Sequence, residues 1–350
     1  MPARLHLALL LALAACRDEG QPPPSDLSLA HPAVAWSRNT GMPLDQGRAG
    51  VPLALAPTER RLIAFGGSPT ASTDAVWSFS LRDDAWSTLQ LGTAPPPGRT
   101  GHCAAYLPAQ NQVLYVGGHD DDGTPRTTPM LLAVGTPGFV DVLGGAPTPL
   151  SGCAAAFFPR SSHALVFGGG FGPGPTDETW SLDPAGPAFT ELLPAHRPPP
   201  RAGGALVADP GPDGDAATSR LVLFGGAGAI AELDDVWRFD DADWGELPTS
   251  GDPNAAGDSP RPLGRSGAAV ALDPVRRLLY VFGGARQGVD LADLWRLDLR
   301  TLTWEELHAA GPTGRSDASA AWDPILDRML IFGGRTNGRL LSDGWTLSSE

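Results

Sequence analysis

Across residues 265–315 the apolar and polar positions fall in a fixed order. Small residues fill 267–272, an unbroken apolar run occupies 278–282 (Leu-Leu-Tyr-Val-Phe), Gly283-Gly284 ends it, and a polar loop follows. Two alternating stretches, 294–297 and 303–307, come next, with a turn at 298–301 between them. Alternation with period two marks a strand with one buried face, whereas a short apolar run closed by glycine marks a strand buried on both. Four short strands at hairpin spacing predict an antiparallel sheet. Such a sheet leaves apolar surface uncovered, so it requires neighbours of the same kind.

The sequence supplies those neighbours. Double glycines close an apolar run at Gly66-Gly67, Gly117-Gly118, Gly168-Gly169, Gly225-Gly226, Gly283-Gly284 and Gly333-Gly334. The matched first-strand positions Gly50, Gly101, Gly152, Gly203, Gly267 and Asp317 are spaced by 51, 51, 51, 64 and 50 residues. Third-strand aromatics recur at Trp77, Trp180, Trp237, Trp295 and Trp345, and fourth-strand aromatics at Trp86, Phe139, Phe189, Trp244 and Trp304. This period, with its double-glycine, Trp and Arg landmarks, resembles the kelch repeat, whose units form the four-stranded blades of a β-propeller. The resemblance covers residues 33–350 and implies an all-β, six-bladed ring in which nine of the ten tryptophans are scaffold, Trp322 being the exception. A Trp buried between blades covers roughly 150–250 Å², so losing one is expected to cost about 3–5 kcal/mol.

The copies are not identical. The second has Met130-Leu131-Leu132-Ala133 where a Trp strand is expected, and the third begins Leu150-Ser151 where the others lead with Arg. The fourth is expanded at 209–218, and 248–263 is a long connection to the fifth. The sixth stops after its third strand, while 34–37 (Val-Ala-Trp-Ser) reads as a fourth strand without the first three. The ring is therefore expected to close by pairing residues near Trp36 with the strand containing Trp345, leaving no open edge.

Composition narrows the function. With 44 Gly and 36 Pro in 350 residues, long helices are disfavoured. The formal charge of −14 argues against a nucleic-acid partner, for which clustered positive charge supplies most of the affinity. All 25 basic residues are Arg, which rules out a phosphate-loop lysine and a Schiff-base lysine. Residues 1–15 have one early Arg, an apolar run at 7–15 and small residues at its end, the layout of a secretory signal. Nine apolar residues make roughly 14 Å of helix, too little to span a hydrocarbon core of roughly 30 Å. Leu13-Ala14-Ala15-Cys16 resembles the lipobox of bacterial lipoproteins, which implies lipidation of Cys16 and a net charge of −15 after cleavage. Arg17 after the Cys resembles the outer-membrane sorting pattern, and the proline-rich stretch 17–32 reads as a tether. An exported, lipid-anchored envelope protein is expected, meeting the membrane through Cys16.

Motifs of catalysis are scarce. No HExxH or CxxC occurs, and the acidic loop His119-Asp120-Asp121-Asp122-Gly123 fails the EF-hand spacing, so neither a metal nor a cofactor is expected and no catalytic residue is assigned. Kelch relatives include copper radical oxidases, but Tyr106, Tyr115 and Tyr280 are the only tyrosines, and two of them lie in double-glycine strands. A periplasmic sialic-acid mutarotase-like isomerase stands as the alternative, by analogy of fold alone. Cys103 and Cys153 read as equivalent positions in adjacent first strands (GHCAA and SGCAA), where two buried thiols are favoured over a disulfide. In the kelch family the fourth-to-first and second-to-third connections share one face. Its candidate ligand residues are the leading arginines Arg99, Arg201, Arg265 and Arg315, with Arg126, Arg286, Arg335 and Asn337 from the loops. Arg48 leads the first copy in the same way. Two roles are open for the leading arginines: tying loops through carbonyls and aspartates, or contacting a ligand, since guanidiniums suit carboxylates. Asp235, Asp293 and Asp343, two residues before a Trp, recur regularly and are expected to cap loops. The sequence thus predicts a monomeric, non-catalytic propeller that binds an unidentified protein or glycan.

Overall fold

The computed structural model describes residues 33–41, 47–69, 75–92, 94–144, 147, 150–172, 174–240, 242–251 and 261–349. The signal segment, Cys16, the tether and residues 252–260 of the long connection lie outside the described residues. Six antiparallel sheets of four strands each form the blades. Blade 1 comprises Leu53–Ala56, Arg61–Phe65, Val76–Ser80 and Ala85–Leu89, and blade 2 comprises Thr100–Leu107, Gln112–His119, Met130–Ala133 and Gly138–Asp141. Blade 3 is Ala154–Phe158, His163–Phe167, Thr179–Asp183 and Ala188–Leu192, and blade 4 is Ala205–Asp209, Arg220–Phe224, Val236–Asp240 and Asp243–Glu246. Blade 5 runs Ala269–Asp273, Leu278–Phe282, Leu294–Asp298 and Thr303–Glu306. Part of the long connection, Ser250–Gly251, adds to it in parallel as a fifth, outermost strand.

Blade 6 takes three strands from the chain's end, Ser319–Asp323, Arg328–Phe332 and Gly344–Ser349, and its outer strand Val34–Asn39 from the beginning. The register pairs Trp36 with Leu347 and Arg38 with Trp345, as the two fragments of repeat require. Trp36 turns towards blade 5, its ring 5.2 Å from that of Phe282, and the Arg38 guanidinium lies over the Trp345 ring at 5.2 Å. Because Val34 pairs with Ser349, the chain enters on the face of the 1–2 and 3–4 turns and climbs towards the face of the 2–3 loops.

Among the described residues the core is divided. Six apolar clusters sit one at each junction, and each second strand contributes to two of them because its alternate side chains face opposite neighbours. The aromatic of an outer strand packs on the last apolar residue of the preceding blade's second strand: Trp86 on Phe332, Phe139 on Phe65, Trp244 on Phe167 and Trp304 on Phe224, at 4.9–5.4 Å. Trp322 instead stacks on Tyr280 of blade 5, with planes 10° apart.

The double glycines bind the blades by their backbones. Gly67, Gly118, Gly169, Gly226, Gly284 and Gly334 each donate an N–H, at 2.6–2.9 Å, to the carbonyl of the residue that leads the next blade: Arg99, Leu150, Arg201, Arg265, Arg315 and Arg48. Such an approach excludes a side chain. At Gly334, φ is +93° and a Cβ would lie 2.8 Å from the Ser316 carbonyl oxygen. Nearer the axis a second ring runs through the first-strand glycines, where Gly152, Gly203, Gly267, Asp317 and Gly50 donate at 2.6–2.9 Å to Gly101, Gly152, Gly203, Gly267 and Asp317. Asp317 adopts the same left-handed conformation, φ +51°, that glycine adopts in the other five copies.

The cysteines overturn the expectation of two separate thiols: Cys103 and Cys153 form a disulfide with Cα atoms 5.5 Å apart. They are not equivalent. Gly101 matches Gly152, so Cys153 matches His102 and Cys103 matches Ala154. Side chains alternate across a strand, so equivalent positions would face the same way around the ring, and the one-residue offset turns the two sulfurs towards each other.

Candidate functional site

The 2–3 loops and the connections between blades converge on one face, around the axis. The structure places the eight candidate ligand residues in two groups. Arg201, Arg265 and Arg315 lie inside the wall, all about 1% exposed. Each repeats one arrangement: a bidentate pair at 2.5–2.9 Å to the aspartate two residues before the third-strand Trp (Asp235, Asp293 or Asp343). The guanidinium also donates to the first carbonyl of the double glycine (Gly225, Gly283 or Gly333) and, through Nε, to the carbonyl two residues upstream. The Trp indole N–H completes the unit by donating to the same carboxylate at 2.7 Å. Of the two roles open to these arginines, the bonds display the tie, with the aspartates as its anchors. Although burial acts to raise it, the Asp293 carboxyl is held below its ordinary range by its bonds to Arg265 and Trp295, and Asp343 likewise by Arg315 and Trp345.

Arg99 is the variant. Thr128 stands where the aspartate stands in blades 4 to 6, and Arg99 donates to the carbonyls of Gly117 and Thr128 and to the Met130 sulfur, which fills the absent Trp's slot. Burial, with the nearby charge of Arg126, pushes its pKa down to about 10. In blade 3 the Trp180 indole donates to Glu178, and Leu150 stands where Arg does elsewhere.

The other four candidates lie on the surface of the face. Arg286 and Asn337 belong to two small hairpins, Ala285–Arg286 with Val289–Asp290 and Arg335–Thr336 with Arg339–Leu340. Their turns, Gln287-Gly288 and Asn337-Gly338, have both residues at φ between +48° and +76°, the geometry of a tight hairpin that matches strand twist. The loops are cross-tied: Gln287 N–H donates to Glu232 of blade 4, and Asn337 N–H donates to Asp290 of blade 5. Arg335 pairs at 2.5 Å with Asp317, whose carboxyl burial raises against the pull of that guanidinium. Arg126 pairs with Asp120 at 2.8 Å in a loop where two of the three aspartates, Asp120 and Asp122, both accept from Thr124 N–H. Hydrogen bonding with Asp120 and Thr124 holds Asp122 at about 2. Arg286 and Arg339 make no ion pair among the described residues. Beside them Ile230 is fully exposed and Val289 is 63% exposed.

Some features escaped the sequence reading. His102 is buried under the first double glycine, with Nε2 3.1 Å from the Phe65 carbonyl and Nδ1 without a partner. On the opposite face arginines bridge blades: Arg277 to Asp209, Arg276 to Asp327 and Arg328 to Asp84. An open polar cleft of about 440 Å³ lies at the seam of blades 6 and 1, lined by Ser37, Arg38, Asn39, Thr40, Asp84, Arg328 and Thr346. The recurring Asp-Pro after the first strand, followed by Arg, was the signal for the bridges. Among the described residues no group of three or more His, Cys, Asp or Glu is placed to hold a metal ion.

Six blades, a ring closed by the N-terminal strand and a loop-built face define a six-bladed β-propeller, a fold that suggests a protein-binding scaffold. The family model of the KLHDC2/KLHL20/DRC7 Kelch-repeats domain matches residues 53–259 and 253–350, and the chain belongs to the kelch-repeat family. No curated protein matches it.

Proposed function

We propose that this propeller is a non-catalytic binding module, held to a bacterial cell envelope by lipid on Cys16 and recognising a protein or glycan through the face of the 2–3 loops. The observation that carries the reading is the cross-tied crest of blades 4 to 6, where rigid hairpins present Arg286 and Arg339 beside exposed Ile230 and Val289. A preorganised surface loses little entropy when a partner settles on it. The strand order supports the orientation: Val34 starts on the opposite face, so a tether ending there leaves the loop face turned away from the surface that holds it.

The test captures envelope proteins and glycans on the purified full chain and compares it with Ile230→Asp and Arg286→Glu. Both positions are exposed or half-exposed, so the fold should persist, and capture is expected to fall at least tenfold. Capture that survives both changes but is lost on Val275→Asp, on the opposite face, would overturn the assignment of the face. For the anchor, Cys16→Ala should move the protein from the membrane fraction to the soluble fraction; retention in the membrane would overturn it.

A further inference from the structure

Among the described residues the complete Arg–Asp–Trp clamp occurs in one half of the ring. Blades 4, 5 and 6 each carry it complete. Blade 1 has Ala75 two residues before Trp77, blade 2 has Thr128 two before Met130, and blade 3 has Leu150 in place of the arginine. Where the clamp exists, it fixes the residue whose carbonyl receives the N–H of the preceding blade's second glycine. In blade 3 that residue is Leu150, which accepts from Gly118 at 2.7 Å without a guanidinium behind it. The Cys103–Cys153 disulfide lies at this junction, three residues beyond Leu150, and joins the first strand of blade 2 to the residue that precedes the first strand of blade 3, two of the three blades without the complete clamp.

We infer that the disulfide substitutes for the missing clamps, so that closure of blades 2 and 3 depends on oxidation while blades 4 to 6 hold without it. Two thiols forming one disulfide release two protons and two electrons, and these pass to a partner disulfide by thiol–disulfide exchange. The ring is then complete only where such an oxidant is supplied, as in an exported compartment. This is a redox-dependent device independent of what the loop face binds.

Hydrogen exchange of the full chain, with and without a thiol reductant, tests it. On reduction, protection should fall at least tenfold in Thr100–Leu107, Gln112–His119, Ala154–Phe158 and His163–Phe167, with blades 4 to 6 unchanged. The melting temperature should drop by about 5 °C, the scale expected from opening a cross-linked loop of this length. Mass spectrometry under non-reducing conditions should recover the peptides of Cys103 and Cys153 as one species. A second chain, Leu150→Arg with Thr128→Asp and Met130→Trp, rebuilds the clamp in blades 2 and 3 and should lose most of the reductant's effect. Free thiols at both positions before reduction, uniform loosening of all six blades, or an undiminished effect in a folded rebuilt chain would each overturn the inference.

Discussion

His102 is buried where protonation costs most: under glycines, against Phe65 and Tyr115, and within reach of the Arg99 charge. Burial first, then that guanidinium, brings its pKa down from 6.5 to about 3. Between those values the unfolded chain takes up a proton that the folded chain refuses, so the imidazole's contribution is fully present above pH 6.5 and is lost as pH falls below it. Melting temperature should therefore decline between pH 7 and pH 4.5. In His102→Ala, which carries the residue found in blades 5 and 6, part of that decline should vanish; an unchanged slope would show that other groups cause it. Arg265 makes the complementary case, because removing it strands a largely buried aspartate and breaks four hydrogen bonds. Arg265→Met should cost about 3 kcal/mol. Arg265→Lys should recover only part, since an ammonium cannot reproduce the fork. Paired with Asp293→Asn in a double-mutant cycle, a coupling above about 1.5 kcal/mol is expected; a coupling near zero would mean that the three clamps are ornamental.

Strands were the most legible level. Each is short, but six repetitions of apolar run, double glycine and Trp left one arrangement that satisfies all of them, and the fragments at 34–37 and 344–349 had only each other as partners. Removing the Trp36 side chain should uncover Phe282 and cost about 3–5 kcal/mol, roughly 5 °C in melting temperature for a chain of this length. Trp322→Ala, on a ring half-buried like that of Trp36 and stacked on Tyr280, should cost a comparable amount, measured in the same thermal melt. The disulfide was not legible because it depends on a single residue of register: reading Cys103 and Cys153 as equivalent put both sulfurs on the same side of their strands, and counting from Gly101 and Gly152 separates them. The arginine ring was legible as a list of positions but not as a role. Whether a guanidinium points into a wall or out of it depends on an aspartate some 30 residues away, which the sequence shows only as another regularity. Asn337-Gly338 carried a readable hairpin signal, yet its tie to Asp290 joins loops of different blades and has no local trace.

At the scale of the molecule the ring has no natural beginning. Blade 6 is assembled from both ends, and Val34 lies opposite Ser349 with the same antiparallel pairing that other blades achieve through a four-residue turn such as that between Asp298 and Thr303. Closure of blade 6 therefore rests on side chains and ladder bonds alone, whereas the other five have a covalent turn at this point. A circular permutant can exchange the two conditions. Joining 349 to 34 by a four-residue turn and opening the chain at 94–97, in the connection between blades 1 and 2, gives blade 6 an ordinary hairpin and leaves all strand pairings intact. The cut falls where the described backbone forms neither strand nor helix, and Gly67–Arg99 and Cys103–Cys153 still hold blade 2 to its neighbours. The permutant should fold to a single cooperative unit with a melting temperature within about 5 °C of the original, because the entropy of closing one short loop replaces that of another. Its blade 6 strands should gain hydrogen-exchange protection relative to the original chain. A permutant that elutes as an aggregate, or melts in two separate steps, would mean that the ring depends on the order in which its blades are made and not only on the contacts that close it.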